Sequence, residues 1–120
     1  MRTWSEKQLE AIEAPVTDLL VSAAAGSGKT SVLVERIARL IEGGQDIGRM
    51  LVVTFTNAAV AEMKERIIQR LTQLAQQAQG EAKARLQLQA ADAERADIST
   101  IHAFCLNVLR RNFQAVGLDP

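Results

Sequence analysis

The chain has a single cysteine, Cys105, no tyrosine, three phenylalanines, one tryptophan and no excess of either charge. One cysteine excludes an intramolecular disulfide and any structural zinc site built on several cysteines, and it makes a reducing cytoplasm the default setting. Aromatic residues at 3% argue against the extended base-stacking platforms of OB-fold or RRM proteins. Lysine plus arginine and aspartate plus glutamate number 14 each and cancel, which excludes a polybasic nucleic-acid coat or an acidic tail as the main identity. The apolar runs fall far short of the roughly 20 residues of a membrane span, and Met1 to Glu10 is too polar for a signal peptide; no membrane association is expected. No internal repeat of fixed period is visible. What remains is 120 residues with 48% hydrophobic content, the size and composition of one small globular domain.

The pattern along the chain alternates helices with short apolar strands. Thr3 stands three residues before Glu6, the spacing of a capping box, and Leu9 and Ile12 give the ensuing helix an apolar side before Pro15 stops it at or before Ala14. Asp18 to Ser22 reads as a buried strand. A small-residue loop follows, then a helix with Leu33, Ile37, Leu40 and Ile41 on one face and Gly43-Gly44 as its stop. Met50 to Phe55 reads as a second buried strand, with Thr56 or Asn57 capping a helix that repeats Val60, Met63, Ile67, Leu71, Leu74 and Ala78. Strand, helix and strand compose a βαβ unit, hence an α/β fold with a parallel sheet. Residues 73–97, rich in Gln, Ala, Arg and Glu, predict one or two solvent-exposed helices broken near Gly80, a helical excursion. Ala96 to Thr100 reads as a third short strand. Thr100 then caps a helix carrying Ile101, Phe104, Cys105, Val108 and Phe113 on one face, with Gly117 as its stop.

The chemistry concentrates where the first strand meets its helix. Ala23-Ala24-Ala25-Gly26-Ser27-Gly28-Lys29-Thr30 fits the pattern Ala/Gly-x4-Gly-Lys-Ser/Thr. Small residues let backbone N–H groups turn inward around phosphate oxygens, and the helix N-terminus adds partial positive charge. In such a loop Lys29 reaches the β- and γ-phosphates and the Thr30 hydroxyl ligates Mg²⁺. Gln8 is ordinarily a solvated helix residue, but upstream of a phosphate loop its paired donor and acceptor complement the adenine edge. Thr54-Phe55-Thr56-Asn57 lies at a strand's carboxyl end, where open α/β sheets place ligands. It reads either as a capped turn with Phe55 in the core or as a phosphate- and base-contacting segment. Thr100-Ile101-His102 repeats the arrangement. His102, the only histidine, has no Cys or His partner for a metal and reads first as a structural hydrogen-bonding residue. Cys105 reads as core.

TWSEKQLEAI (3–12), DLLVSAAAGSGKTSVLVERIARLI (18–41), MLVVTFTNAAVAEMKERI (50–67) and ADISTIHAFCLNVLRRNF (96–113) resemble the Q motif and motifs I, Ia and Ib of superfamily 1A DNA helicases, in that order. Ser31 and Ala58 stand where UvrD/PcrA-like chains usually carry Arg and Lys, so the likeness is closest to the AddA type, the helicase–nuclease subunits of bacterial recombination complexes. The resemblance implies a partial RecA-like P-loop NTPase domain spanning 1–120. It implies ATP and Mg²⁺ as cofactors, single- and double-stranded DNA as partners, and a second chain of AddB type. On this resemblance Gln8 contacts adenine and Ala23 to Thr30 hold the triphosphate. Lys29 and Thr30 serve catalysis, and Thr54, Phe55, Thr56, Asn57, Thr100 and His102 line the single-stranded DNA path.

The parent activity so implied is ATP-driven movement on single-stranded DNA in double-strand break repair, with exonuclease activity elsewhere in the protein. A UvrD/PcrA-like helicase without nuclease and a non-motor P-loop module are the alternatives. No apolar strand ends in the Asp-Glu pair that a motor of this type uses on Mg²⁺ and water, so the chain reads as the N-terminal piece of a longer protein, and inactive alone.

Overall fold

A computed structural model describes residues 3–22 and 28–117. The first helix, α1 (Glu6–Glu13), is opened by Ser5 rather than Thr3: the Ser5 hydroxyl accepts from the Gln8 backbone N–H while the Gln8 side-chain Oε1 accepts from the Ser5 N–H. Both Thr3 and Ser5 have a suitable partner three residues on, and the choice of Ser5 moves the helix start by two residues. Ala14, just before Pro15, leaves helical geometry with ψ 144°, as expected of a residue preceding proline.

Gly28 precedes α2 (Lys29–Glu42) with φ 82°, a left-handed conformation that a side chain disfavours. Gly43 ends the helix by donating to the Arg39 and Ile41 carbonyls, and Gly44 follows at φ 118°. Asp46 then caps a single 3-10 turn, Ile47–Arg49, which leads into β1 (Leu51–Thr54). The Thr56 hydroxyl caps the long α3 (Asn57–Gln77), and α4 (Gly80–Asp92) doubles back along it. A second 3-10 turn (Ala93–Arg95), β2 (Asp97–Thr100), α5 (Ile101–Arg111) and the short α6 (Phe113–Val116) complete the order. Gly117 terminates α6 at φ 71°.

β1 and β2 pair in parallel, with Val52 opposite Ile98 and Thr54 opposite Thr100. Parallel neighbours need a crossover, and the α3–α4 hairpin supplies it. Val52 and Ile98 face inward, whereas Leu51 and Val53 face out. The core lies between that inner face and α2, α3 and α4, around the fully buried Ile41, Ile47, Ile67 and Leu71. The α/β class and its parallel sheet follow the sequence reading, as do the apolar stripe of α3 and the break near Gly80.

Three further expectations fail. Asp18 to Ser22 has no regular secondary structure: among the described residues the ladder holds β1 and β2 alone, and Leu19, Leu20 and Val21 are exposed. A strand exists only through a neighbour that takes its backbone bonds. The βαβ unit observed is therefore β1–α3–α4–β2. The excursion at 73–97 is helical but not merely solvated: Leu86 and Gln89 are buried, and Arg85 of α4 donates to the Ile41 and Gln45 carbonyls at the end of α2. Cys105 is exposed, as are Ile101, Phe104 and Val108. α5 packs on the strand ends and on α6, and no described element covers its apolar flank.

Candidate nucleotide and nucleic-acid sites

α1 is held to α2 through its carboxyl end. The last carbonyls of a helix have no partner inside it and carry partial negative charge. Here the Arg36 guanidinium of α2 donates to the Ala11 and Ala14 carbonyls at 2.9 Å each, and to Pro15 at 3.3 Å. Arg39 adds an ion pair to Glu13 at 3.1 Å. This clamp brings Gln8 of α1 and Lys29 of α2 to the wall of one cavity of about 580 Å³, together with Ser5, Lys7, the Leu19–Ser22 segment and Val32. The volume lies within the range of small-molecule and cofactor sites. Gln8 is half-buried, while Lys29 and Thr30 are exposed on the first turn of α2, where the orphan N–H groups favour anions. Ala23, Ala24, Ala25, Gly26 and Ser27 lie outside the described residues.

Behind this wall sits a buried carboxylate. Glu35, 4% exposed, accepts from Arg70 of α3 at 2.7 and 3.1 Å and from Arg39 at 3.0 Å. Burial alone pushes its carboxyl up, but the hydrogen bonds and charges of Arg70 and Arg39 outweigh burial and hold it below the usual carboxylate range. The same contact raises Arg70. Arg66 of α3 also reaches Ser31 in the first turn of α2, at 3.2 Å.

The second group of residues sits at the carboxyl ends of the strands. The register sets Thr54 beside Thr100. The Thr56 hydroxyl accepts from Ala59 N–H at 3.0 Å, and the buried Thr100 does the same for Ala103 at 3.1 Å. Thr56 and Thr100 are thus helix caps. Phe55, between the strand end and its cap, is 86% exposed, so the core reading of that ring fails. Asn57 and His102 are exposed as well. Two capped helix starts and an outward phenyl ring therefore share one edge of the sheet. No group of three or more His, Cys, Asp or Glu positioned for a metal occurs among the described residues.

The model of the UvrD/REP helicase N-terminal domain matches residues 4–120. The chain belongs to this family. Similar relatives include proteins named as ATP-dependent helicase/nuclease subunits of the A type. The one from Acetivibrio thermocellus is 52% identical over 98% of this chain and 9% of its own length. That from Alkaliphilus oremlandii is 49% identical over 100% of this chain and 10% of its own. That from Pelotomaculum thermopropionicum is 52% identical over 98% and 9%. The chain spans about a tenth of the length of the curated relatives it matches.

Within this UvrD/REP-type domain, sequence reasoning missed the residues that hold the two sites in place. Glu35 and Arg39 are visible as an i, i+4 pair, but nothing local marks Arg70, 35 positions on, or the Arg36 clamp. Lys7 was missed too, because an exposed lysine on a helix carries no signal of its own. Among the described residues no helix is long and apolar enough to cross a membrane.

Proposed function

We propose that this chain is the ATP-binding segment of an ATP-dependent DNA helicase/nuclease, the first part of a RecA-like domain over 1–120 that includes the helical hairpin at 73–97. The observation that carries the reading is the shared cavity: an amide (Gln8), two ammonium groups (Lys7 and Lys29), one carboxylate (Glu10) and apolar side chains (Leu19, Val21, Val32) meet around about 580 Å³. That donor set fits a purine nucleoside triphosphate, with Gln8 toward the base and Lys29 toward the phosphates. Ala23 to Gly28 would wrap the phosphates, and the Thr30 hydroxyl would hold Mg²⁺. Bound ATP–Mg²⁺ supplies the phosphoryl group and the metal charge, while the chain binds, orients and neutralises.

Thr54, Phe55, Thr56, Asn57, Thr100 and His102 form the track for single-stranded DNA in this reading. Short polar groups and helix N-termini suit phosphates, and an exposed ring suits a base. The complete protein then couples ATP hydrolysis to movement along single-stranded DNA, entering from double-stranded ends during break repair in the cytoplasm. The relatives' naming as subunits supports assembly with a second chain, of AddB type.

The test is Lys29→Ala in the complete protein. An exposed residue on a first turn contributes little to stability, so the variant should fold. Its loss removes a charge-assisted contact to the phosphates that strengthens in the transition state. ATP binding should weaken and DNA-stimulated phosphate release should vanish. Near-normal release by the folded variant overturns the reading.

A further inference from the structure

We propose that Arg66 is a positioning residue for metal-dependent nucleotide binding: from α3 it holds Ser31, and so sets the first turn of α2 that carries the Thr30 hydroxyl. The inference rests on the nucleotide site proposed above, in which Thr30 holds Mg²⁺.

α2 opens without a side-chain cap. α1, α3 and α5 each start on a hydroxyl, of Ser5, Thr56 and Thr100, that accepts from a first-turn N–H. α2 starts on Gly28, at φ 82° and with no capping hydrogen bond from a side chain. Its first helical bond runs from the Val32 N–H to the Gly28 carbonyl at 3.0 Å, so the Lys29, Thr30 and Ser31 N–H groups have no carbonyl inside the helix. A hydroxyl cap would occupy an N–H that a bound anion needs, whereas glycine leaves it to the anion. The same choice removes the bond that fixes the first turn of α1, α3 and α5. Thr30 can hold a metal at a set place only if its turn is fixed in another way.

The turn is fixed from the side. Arg66 Nη1 donates to Ser31 Oγ at 3.2 Å, across 35 positions of sequence. The other end of the fork, Nη2, pairs with Glu62 at 3.0 Å, one turn back on α3. One turn further along, Arg70 grips Glu35. Arg66 and Arg70 stand four apart on α3, as Ser31 and Glu35 do on α2, so the two contacts are successive rungs between one pair of helix faces. The Glu35 rung holds the body of α2, and the Ser31 rung reaches the residue next to Thr30. A guanidinium can only donate, so Ser31 is the acceptor. Arg66 acts through Ser31 and need not touch the nucleotide or the metal: a group bound beside a metal ligand orients that ligand. Its side chain is 41% exposed, so its share in general stability is small.

The test is ATP binding by the complete protein with Mg²⁺ and with the metal chelated. The quantity read is the gain in affinity that Mg²⁺ brings. Arg66→Ala should cut that gain by about tenfold, the low end for removing a partner that orients a metal ligand. Metal-free ATP binding and the denaturant midpoint should stay at the wild-type level. A merely structural role would weaken binding with and without metal alike and leave the gain unmoved, which overturns the proposal.

Double variants trace the route. Ser31→Ala should cut the gain as Arg66→Ala does, and the two together should do no more than either alone. Effects that add show that Arg66 does not act through Ser31, and they sink the proposal. Thr30→Ala should lose the gain outright, and adding Arg66→Ala to it should change nothing further. If Thr30→Ala loses the gain while Arg66→Ala keeps it, this inference alone fails. If the wild type gains nothing from Mg²⁺, or Thr30→Ala gains as much as the wild type, the metal site itself fails and the inference falls with it.

Discussion

Arg70 of α3 grips Glu35 of α2 with two hydrogen bonds, 2.7 Å from Nε to Oε2 and 3.1 Å from its second nitrogen to Oε1. The contact ties the helix that follows the candidate phosphate loop to the helix that follows β1. Glu35 is the only strongly buried carboxylate among the described residues, and both arginines remain about one-third exposed on their side chains.

Glu35→Ala should therefore destabilise the domain. It removes a buried acceptor of three hydrogen bonds, but Arg39 and Arg70 can turn toward water. We expect a cost of about 2–3 kcal/mol, at the lower edge of what breaking a buried ion pair takes, measured by denaturant unfolding of the complete protein. The pH dependence follows from the sign of the shift. The folded carboxyl lies below its ordinary value of 4.5, so the unfolded state takes up its proton first as pH falls. Its stabilisation is complete above the ordinary carboxylate range and is lost as pH drops through the folded value. The stability gap between wild type and Glu35→Ala should accordingly narrow below about pH 4. A gap that persists unchanged into acid would mean that packing, not charge, holds this junction.

Gln89 makes the second prediction. Its Oε1 accepts from the buried Ile47 N–H at 2.7 Å, and its Nε2 donates to Asp46 at 3.2 Å. Gln89→Ala strands the Ile47 donor in the core, at a cost of about 1–3 kcal/mol. Gln89→Glu keeps an acceptor for Ile47 but sets a carboxylate against Asp46, whose own carboxyl is held low by the Gly48 N–H and by Gln89. The Glu variant should thus be weaker than wild type near neutrality and recover as pH falls into the carboxylate range. Thermal unfolding at about pH 7 and about pH 4.5, above and within that range, checks both.

The contrast between α3 and α4 shows what the sequence makes legible. α3 repeats Met63, Ile67, Leu71 and Leu74 at helical spacing, and all four are buried, because periodicity alone decides which face of a long helix meets the core. α4 has Leu86 and Gln89 as its buried residues. It is anchored by polar side chains that satisfy distant backbone groups, and no local pattern announces that. Lys29 is legible from the loop pattern and Gln8 only from its place upstream of that loop, but the Arg36 clamp that brings them to one cavity joins residues 21 to 25 apart. The strand expected at 18–22 failed for a related reason. Its apolar run is legible, whereas the ladder partner a strand requires is not a property of the run.

Arg36 supplies the third prediction. Arg36→Lys keeps the charge but replaces a planar fork with a single compact donor head, so the Ala11, Ala14 and Pro15 carbonyls cannot all be served. α1 should loosen against α2, and with it the geometry between Gln8 and Lys29. We expect ATP affinity in the complete protein to fall by about tenfold, the size of one charged hydrogen bond, while DNA affinity without nucleotide stays at the wild-type level. Equal losses in both would point to general destabilisation rather than a clamp on the nucleotide side.

Phe55 yields the last prediction. A ring left 86% exposed has little packing to lose, so Phe55→Ala should change stability by less than about 0.5 kcal/mol. If the ring stacks on a base, its removal should weaken single-stranded DNA binding by about 1–3 kcal/mol. Salt separates this from an electrostatic effect. Phe55 neutralises no phosphate, so a plot of log affinity against log salt should shift down without changing slope. Thr100→Val acts differently. It removes the cap bond to Ala103 and costs about 1 kcal/mol of stability, and it loosens the start of α5 beside His102. Binding titrations of the complete protein on single-stranded DNA at several salt concentrations distinguish the cases. A parallel downward shift for Phe55→Ala supports stacking at the end of β1. Wild-type affinity in that variant removes Phe55 from the DNA track and leaves the strand-end threonines, Asn57 and His102 to hold the strand through its phosphates alone.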